Sequence, residues 1–187
     1  MTNSEDLADA VTRLEARVQE LEAHHRLIDL LALPGLLAGG AARIFDCIHS
    51  ADTIPAEAAG FYGREIAGGG VSIRWTRFPD AGRLDIAVIG SIPFVLELRA
   101  LHTPHVRSPM DIIVKTDEGE EIEFDAVQPL DNGVLEFVTV LTRPTTGVLR
   151  LSVTSRAHLD GSGGDTRKLG LPFVQLRSRP QLAQTVG

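Results

Sequence analysis

The sequence predicts a mostly β protein: an antiparallel, jelly-roll-like β-sandwich preceded by an N-terminal coiled-coil helix. Three observations predict it. The hydrophobic period is 3.5 residues before Pro34 and 2 after Gly60. Short alternating segments then recur at roughly 8–15-residue spacing, as in all-β sandwiches. Turn residues tolerant of positive φ separate them, and no intervening stretch is long enough for a helical crossover, so neighbouring strands should run antiparallel.

The helix rests on Leu7, Val11, Leu14, Val18, Leu21, His25 and Ile28, whose spacing alternates between four and three residues. That is the a/d seam of a left-handed coiled coil. Ser4 is the expected N-cap. Arg17 falls at g and Glu22 at the following e, a pair that bridges parallel neighbouring helices. A single helix of this length is marginal alone, so the seam calls for a partner, and self-association is the simplest one. β-branched residues at a with Leu at d lean towards a homodimer. However, Arg17-Val18-Gln19-Glu20-Leu21-Glu22 resembles the Arg-hydrophobic-x-x-hydrophobic-Glu motif of short trimeric coiled coils, and that resemblance implies a homotrimer. The alternative is an amphipathic helix docked on its own domain.

Leu33-Pro34-Gly35 ends the helix, because Pro lacks a donor and Gly accepts a left-handed cap. The chain divides into an oligomerisation helix (1–32), a linker with one short packed element around Ala42–Ile48 (33–60), the sandwich (61–180) and a flexible tail (181–187). Strands are expected over 71–75, 84–88, 94–101, 111–115, 121–124, 134–141, 148–153 and 173–177. Asp80-Ala81-Gly82, Asp117-Glu118-Gly119, Asp131-Asn132-Gly133 and Thr145-Thr146-Gly147 supply the turns.

Composition sets the outer bounds. With 187 residues, 43% of them hydrophobic, the chain fits one core domain of about 120–150 residues with an appendage. Disordered, collagenous and disulfide-scaffold classes are excluded. There is no apolar run of membrane-spanning length, and the N-terminus is acidic where a secretory signal would be basic, so a cytoplasmic protein is expected. A net charge of −7 gives no general attraction to nucleic acid or anionic lipid. The charge is unevenly placed: residues 85–137 hold 11 acids and 3 bases, and residues 143–187 hold 7 bases and 2 acids. Such blocks should pair across a sheet or face solvent.

Two groups of residues carry a resemblance. Gly60-Phe61-Tyr62, Glu65, Gly69-Gly70 and Ser72-Ile73-Arg74-Trp75-Thr76 open the domain, and Asp165-Thr166-Arg167-Lys168-Leu169-Gly170-Leu171 closes it. Together they resemble the signatures of a small β-sandwich module appended to, or encoded beside, bacterial glycosyltransferases of surface-polysaccharide assembly. The resemblance implies an accessory or carbohydrate-binding module, non-catalytic and without cofactor, whose partners are its own copies and a glycan or a glycosyltransferase. It also implies a ligand surface of Tyr62, Arg64, Glu65, Arg74, Asp160, Asp165 and Arg167. The competing readings are a structural oligomeric scaffold and a small carbohydrate-active hydrolase or lyase. In addition, Leu14–Glu22 followed by Leu27–Ala32 is similar to the first helix of SnoaL-like α+β proteins. Leu33-Pro34-Gly35 interrupts the helical opening that fold needs.

Other chemistry is thinner. Alternation places Trp75 with Val71 and Ile73, so Trp75 is expected in the core, and Tyr62 is the better exposed aromatic. The Asp160–Asp165 loop offers two carboxylates where calcium needs six to eight oxygens, and Asp165 is read instead as capping a turn and pairing with Arg167. His102, His105 and His158 lack zinc-site spacing, since Pro104 forbids a helix between the first two, and no metal is assigned. Nothing orients Cys47 as a nucleophile, and no phosphate-binding or serine-hydrolase motif occurs, so no catalytic residue is assigned.

Overall fold

A computed structural model describes residues 46–55, 58–88, 92–144, 146–161 and 165–181, all within one compact unit. The expected coiled-coil helix and its seam, Leu7 to Ile28, lie outside the described residues, as does the tail beyond Gln181. The strands are β1 (Cys47–Ser50), β2 (Phe61–Ile66), β3 (Ser72–Arg77), β4 (Gly82–Val88), β5 (Phe94–Leu101), β6 (Ile112–Thr116), β7 (Ala126–Pro129), β8 (Val134–Leu141), β9 (Gly147–Ser155), β10 (Leu159–Asp160) and β11 (Lys168–Pro180). They form an antiparallel β-sandwich. The larger, eight-stranded sheet runs β2-β3-β11-β5-β8-β7, with β1 and β10 also paired to β11; the smaller sheet runs β4-β9-β6.

Period-two alternation builds the space between the sheets. In β4 the pattern is strict, with Leu84, Ile86 and Val88 inward and Arg83 and Asp85 outward. These inward residues join Leu96, Leu98 and Ala100 of β5, Phe137 of β8, Ile112 and Val114 of β6, Leu151 and Val153 of β9, and Leu171, Phe173 and Leu176 of β11 in one buried cluster. Fully burying one such large side chain contributes about 1.5–3 kcal/mol. Phe61 meets Phe173 edge-on at 5.4 Å, and a Cβ on Gly82 would lie 2.1 Å from the Phe61 ring, so only glycine lets this ring pack against β4.

Strand β11 changes sides midway. Leu171 and Phe173 are buried between the sheets; after a register shift between Phe173 and Gln175 the inward residues are Leu176 and Ser178. The extra residue is Val174, a β-bulge that reverses inward and outward for the rest of the strand. Gln175, Arg177 and Arg179 therefore face away from the small sheet, opposite Arg99, Glu97 and Val95 of β5.

Most expected strands are present with small shifts, and β5 and β8 have the expected limits. The strand expected over 121–124 is corrected. Glu121 makes only an isolated bridge to Lys115, and the ladder strand is Ala126–Pro129, paired with β8. Residues 47–50, assigned to the linker, pair with β11, so the sheet begins upstream of Gly60.

Candidate functional site

The two signatures meet at the β2–β3 end of the large sheet. The segment before β11 turns at Asp165, whose carboxylate accepts the Arg167 backbone N–H at 2.9 Å. Arg167 Nε donates to both Asp165 oxygens at 3.0 and 2.8 Å, its Nη2 lies 2.7 Å from Oδ2, and its Nη1 donates to Glu65 Oε1 at 2.6 Å. Its guanidinium also lies over the Tyr62 ring, 5.2 Å from the centroid, and that of Arg77 lies 5.5 Å from it. The hydrogen bonds from Arg167 hold the Asp165 carboxyl below the usual carboxylate range, and the two carboxylates raise the Arg167 pKa. One guanidinium thus fixes two carboxylates beside an aromatic ring, on side chains roughly a third exposed.

Tyr62, Glu65, Asp165 and Arg167 are brought together; the other three expected site residues stand apart. Arg64 pairs with Asp52 at 2.6 Å, and Asp160 lies 3.3 Å from His158 Nε2. Arg74 is only 5% exposed. Its guanidinium donates to the backbone carbonyls of Ala51, Ile54 and Tyr62 at 2.9, 2.9 and 3.2 Å. The expectation that Arg74 faces a ligand is therefore corrected: it clasps β3 to the turn after β1.

Trp75 is buried, as expected, though on the other side of the sheet from the inter-sheet cluster. It is 8% exposed and points away from the small sheet, because its neighbour Thr76 points towards it, 3.4 Å from Thr154 of β9. Trp75 is covered by the stacked imidazole of His105, whose Nε2 lies 2.8 Å from the Gly170 carbonyl oxygen. His158 stacks instead on Phe78. Cys47 Sγ is 3.5 Å from His49 Nε2, but that nitrogen sits 2.6 Å from the Asp85 carbonyl oxygen. A nitrogen donating to a carbonyl cannot take the thiol proton, and burial pushes the thiol pKa up, so Cys47 is not an activated nucleophile.

A second polar arrangement was not among the sequence candidates. On the outer face of the large sheet, Gln128 of β7, Glu136 of β8, Arg99 of β5 and Gln175 of β11 occupy one register line. Gln128 Nε2 donates to Glu136 Oε2 at 2.5 Å, Arg99 Nε to Glu136 Oε1 at 2.7 Å, and Arg99 Nη1 to Gln175 Oε1 at 3.1 Å. In the next line Arg179 donates to Glu97 at 2.8 and 3.0 Å, and Arg177 pairs with Asp46 at 2.6 Å. Glu136 is 7% exposed. Burial raises its pKa, but hydrogen bonds from Arg99 and Gln128 and the arginine charges outweigh this, leaving it below the usual range. The acidic-then-basic distribution of charge along the chain announces only the neighbouring line, where Arg177 and Arg179 meet Glu97; Arg99 and Glu136 both fall within residues 85–137, so it gives no signal for this row.

Beside the row lies a shallow cleft, wide open to solvent, of about 730 Å³ and lined by Arg99, Pro129, Leu130, Asp131, Val134 and Val174. The turn at its wall, Asp131–Gly133, has Asn132 at φ 57° and Gly133 at φ 72°. Gly69, from the β2–β3 hairpin tip, packs against the Asn132 side chain closely enough that a Cβ would sit 3.1 Å from it.

No family model and no curated protein matches the chain. Among solved structures it is similar to the native structure of a family 35 carbohydrate binding module from Clostridium thermocellum. The identity is 14% and the TM-score 0.35, over 70% of this chain and 96% of that one, a likeness too loose to transfer a ligand or a site.

Proposed function

We propose that this chain is a non-catalytic, glycan-binding β-sandwich module that works in the cytoplasm beside a polysaccharide-assembly enzyme such as a glycosyltransferase. In this reading residues 1–32 form the oligomerisation helix, with Leu7, Val11, Leu14, Arg17, Val18, Leu21, Glu22 and Ile28 joining three copies. The observation that carries it is the cluster of Tyr62, Glu65, Asp165 and Arg167. Carboxylates held by one guanidinium keep lone pairs for vicinal hydroxyl donors, while the fixed geometry lowers the entropy lost on binding. Arg64 and Asp160, paired with Asp52 and His158, stand outside the cluster, and Arg74 holds β3 to Tyr62 of β2 and to the turn after β1. Asp165, held ionised, suits hydroxyl recognition and not proton donation. Three linked weak sites raise avidity by roughly 10²–10⁴ where a glycan repeats at the right span.

A structural scaffold is the second reading, favoured by one observation: each nitrogen of the Arg167 guanidinium already faces a carboxylate. Calorimetry of the full-length chain with the polysaccharide made by its genomic neighbours, before and after Glu65→Ala, separates the two. Heat of binding that is lost in Glu65→Ala at unchanged melting temperature supports the module. No heat from an intact oligomer supports the scaffold.

A further inference from the structure

We infer that the outer-face cleft at Arg99 is a second binding site for a neutral polyhydroxylated chain, separate from the Tyr62 cluster. The inference rests on the glycan reading just made but uses a different surface. Three features of the cleft point to that ligand.

The first is hydrogen-bonding capacity of both signs, from Arg99 and Asp131 on the lining and from Gln175 and Gln128, which stand in the adjoining row and not on the lining itself. Arg99 uses Nε and Nη1 within the row, and Gln175 uses its carbonyl oxygen, so Arg99 Nη2 and the Gln175 amide nitrogen keep donors without a partner among the described residues. Gln128 uses only its amide nitrogen, so its carbonyl oxygen keeps its acceptor capacity, and the Asp131 carboxylate borders the cleft without a hydrogen-bond partner among the described residues. A hydroxyl both donates and accepts, so it matches such alternating groups.

The second is charge. Arg99 is neutralised by Glu136 at 2.7 Å, and Asp131 adds a negative rim. With Arg99 paired, an anion would meet the Asp131 carboxylate with no uncompensated positive charge to receive it, a penalty that a neutral ligand does not meet.

The third is shape. Val134 and Val174 lie beside Arg99, with Pro129 and Leu130 adjoining, which gives an apolar strip next to a line of planar polar groups. A sugar ring has the same division between its C–H face and its hydroxyl edge. Val174 takes part only because it is the bulge residue of β11. The ion-paired row holds its side chains in place before a ligand arrives, which limits the ordering cost of binding.

The test uses the full-length chain and a panel of neutral linear hexasaccharides (glucan, galactan and mannan), with their uronate-bearing counterparts as controls. Gln175→Ala removes a neutral, partly exposed group and should weaken binding about fivefold, the equivalent of one hydrogen bond, without changing the melting temperature. The methyl resonances of Val134 and Val174 should shift on titration with the best neutral hexasaccharide, and the uronate counterparts should bind no better. If Glu65→Ala abolishes binding while Gln175→Ala and the two methyl signals are unaffected, the cleft inference is overturned and the Tyr62 cluster stands. If no hexasaccharide binds the wild-type oligomer at millimolar concentration, both fall.

Discussion

The Tyr62 cluster and the Arg99 row both place a guanidinium against carboxylate, yet they leave the surface in different states. At Tyr62 one arginine serves two carboxylates, and no nitrogen of its guanidinium lacks a carboxylate partner. In the Arg99 row one arginine serves one carboxylate and one amide, and the line ends in amides that retain hydrogen-bonding capacity. The first arrangement closes upon itself and leaves only acceptor lone pairs for a ligand. The second is open at both ends. Burial differs as well: Glu136 is 7% exposed, whereas the Glu65 side chain is 38% exposed. Removing an arginine should therefore have consequences graded by what it leaves uncovered, and Arg74 marks the buried extreme.

Arg74→Ala should have the largest effect. It leaves the buried carbonyls of Ala51 and Ile54 without their donor, at a cost of about 3 kcal/mol or more. For a domain of this size that corresponds to a melting temperature lower by roughly 10 °C, read by scanning calorimetry. A drop of only a degree or two would show that water or neighbouring N–H groups replace the guanidinium.

Arg99→Met should come next, at about 1–2 kcal/mol. It leaves the Glu136 carboxylate with the Gln128 amide but no ion-pair partner, and because the arginine is 36% exposed, solvent screening keeps the loss below that of a fully buried pair. Urea denaturation at neutral pH measures it. If Arg99→Met proves no worse than Arg167→Ala, burial does not distinguish the two regions.

Acid should separate them more gently. The pKa values of Glu136 and Asp165 lie below their ordinary values in the folded chain. Their contributions are complete above the unfolded pKa, about 4, and are lost as pH falls through the folded value. Unfolding free energy should therefore be flat from pH 7 to about 5 and fall below about 4. In Arg99→Met the Glu136 part of that fall should shrink. An unchanged acid limb would show that Arg99 does not hold Glu136 ionised.

Arg167→Ala should have the smallest effect on stability, within measurement error, because its partners are solvated when released. Its effect belongs to binding. A melting temperature lowered by several degrees would instead make the cluster a structural fastening.

How much of this was legible in the sequence follows from the physics of each part. β5 and β8 are long, alternate cleanly and sit centrally, so pattern and burial agree. β7 was misplaced because Ile122 is buried outside any ladder strand, while Ala126–Pro129 is an exposed edge strand with no alternation to detect. β2 contains Gly63 and an irregular register against β3, which hides its period. Glu65 and Arg167 are 102 positions apart, and only a resemblance joined them. The Arg99 row escaped because polar residues at every second position read as an ordinary solvated face. Its contacts depend on register, which no single strand discloses.

The bulge at Val174 makes the length of β11 as informative as its composition. Deleting that one residue would leave every other side chain of the strand unchanged, yet would steer Gln175, Arg177 and Arg179 into the oily interior and turn Leu176 out to water. Replacing Val174 with another residue keeps the count and hence the arrangement. For this strand a gap in an alignment is a graver event than a mismatch, and relatives that preserve the spacing from Phe173 to Leu176 while varying the residues between them should preserve the charged face.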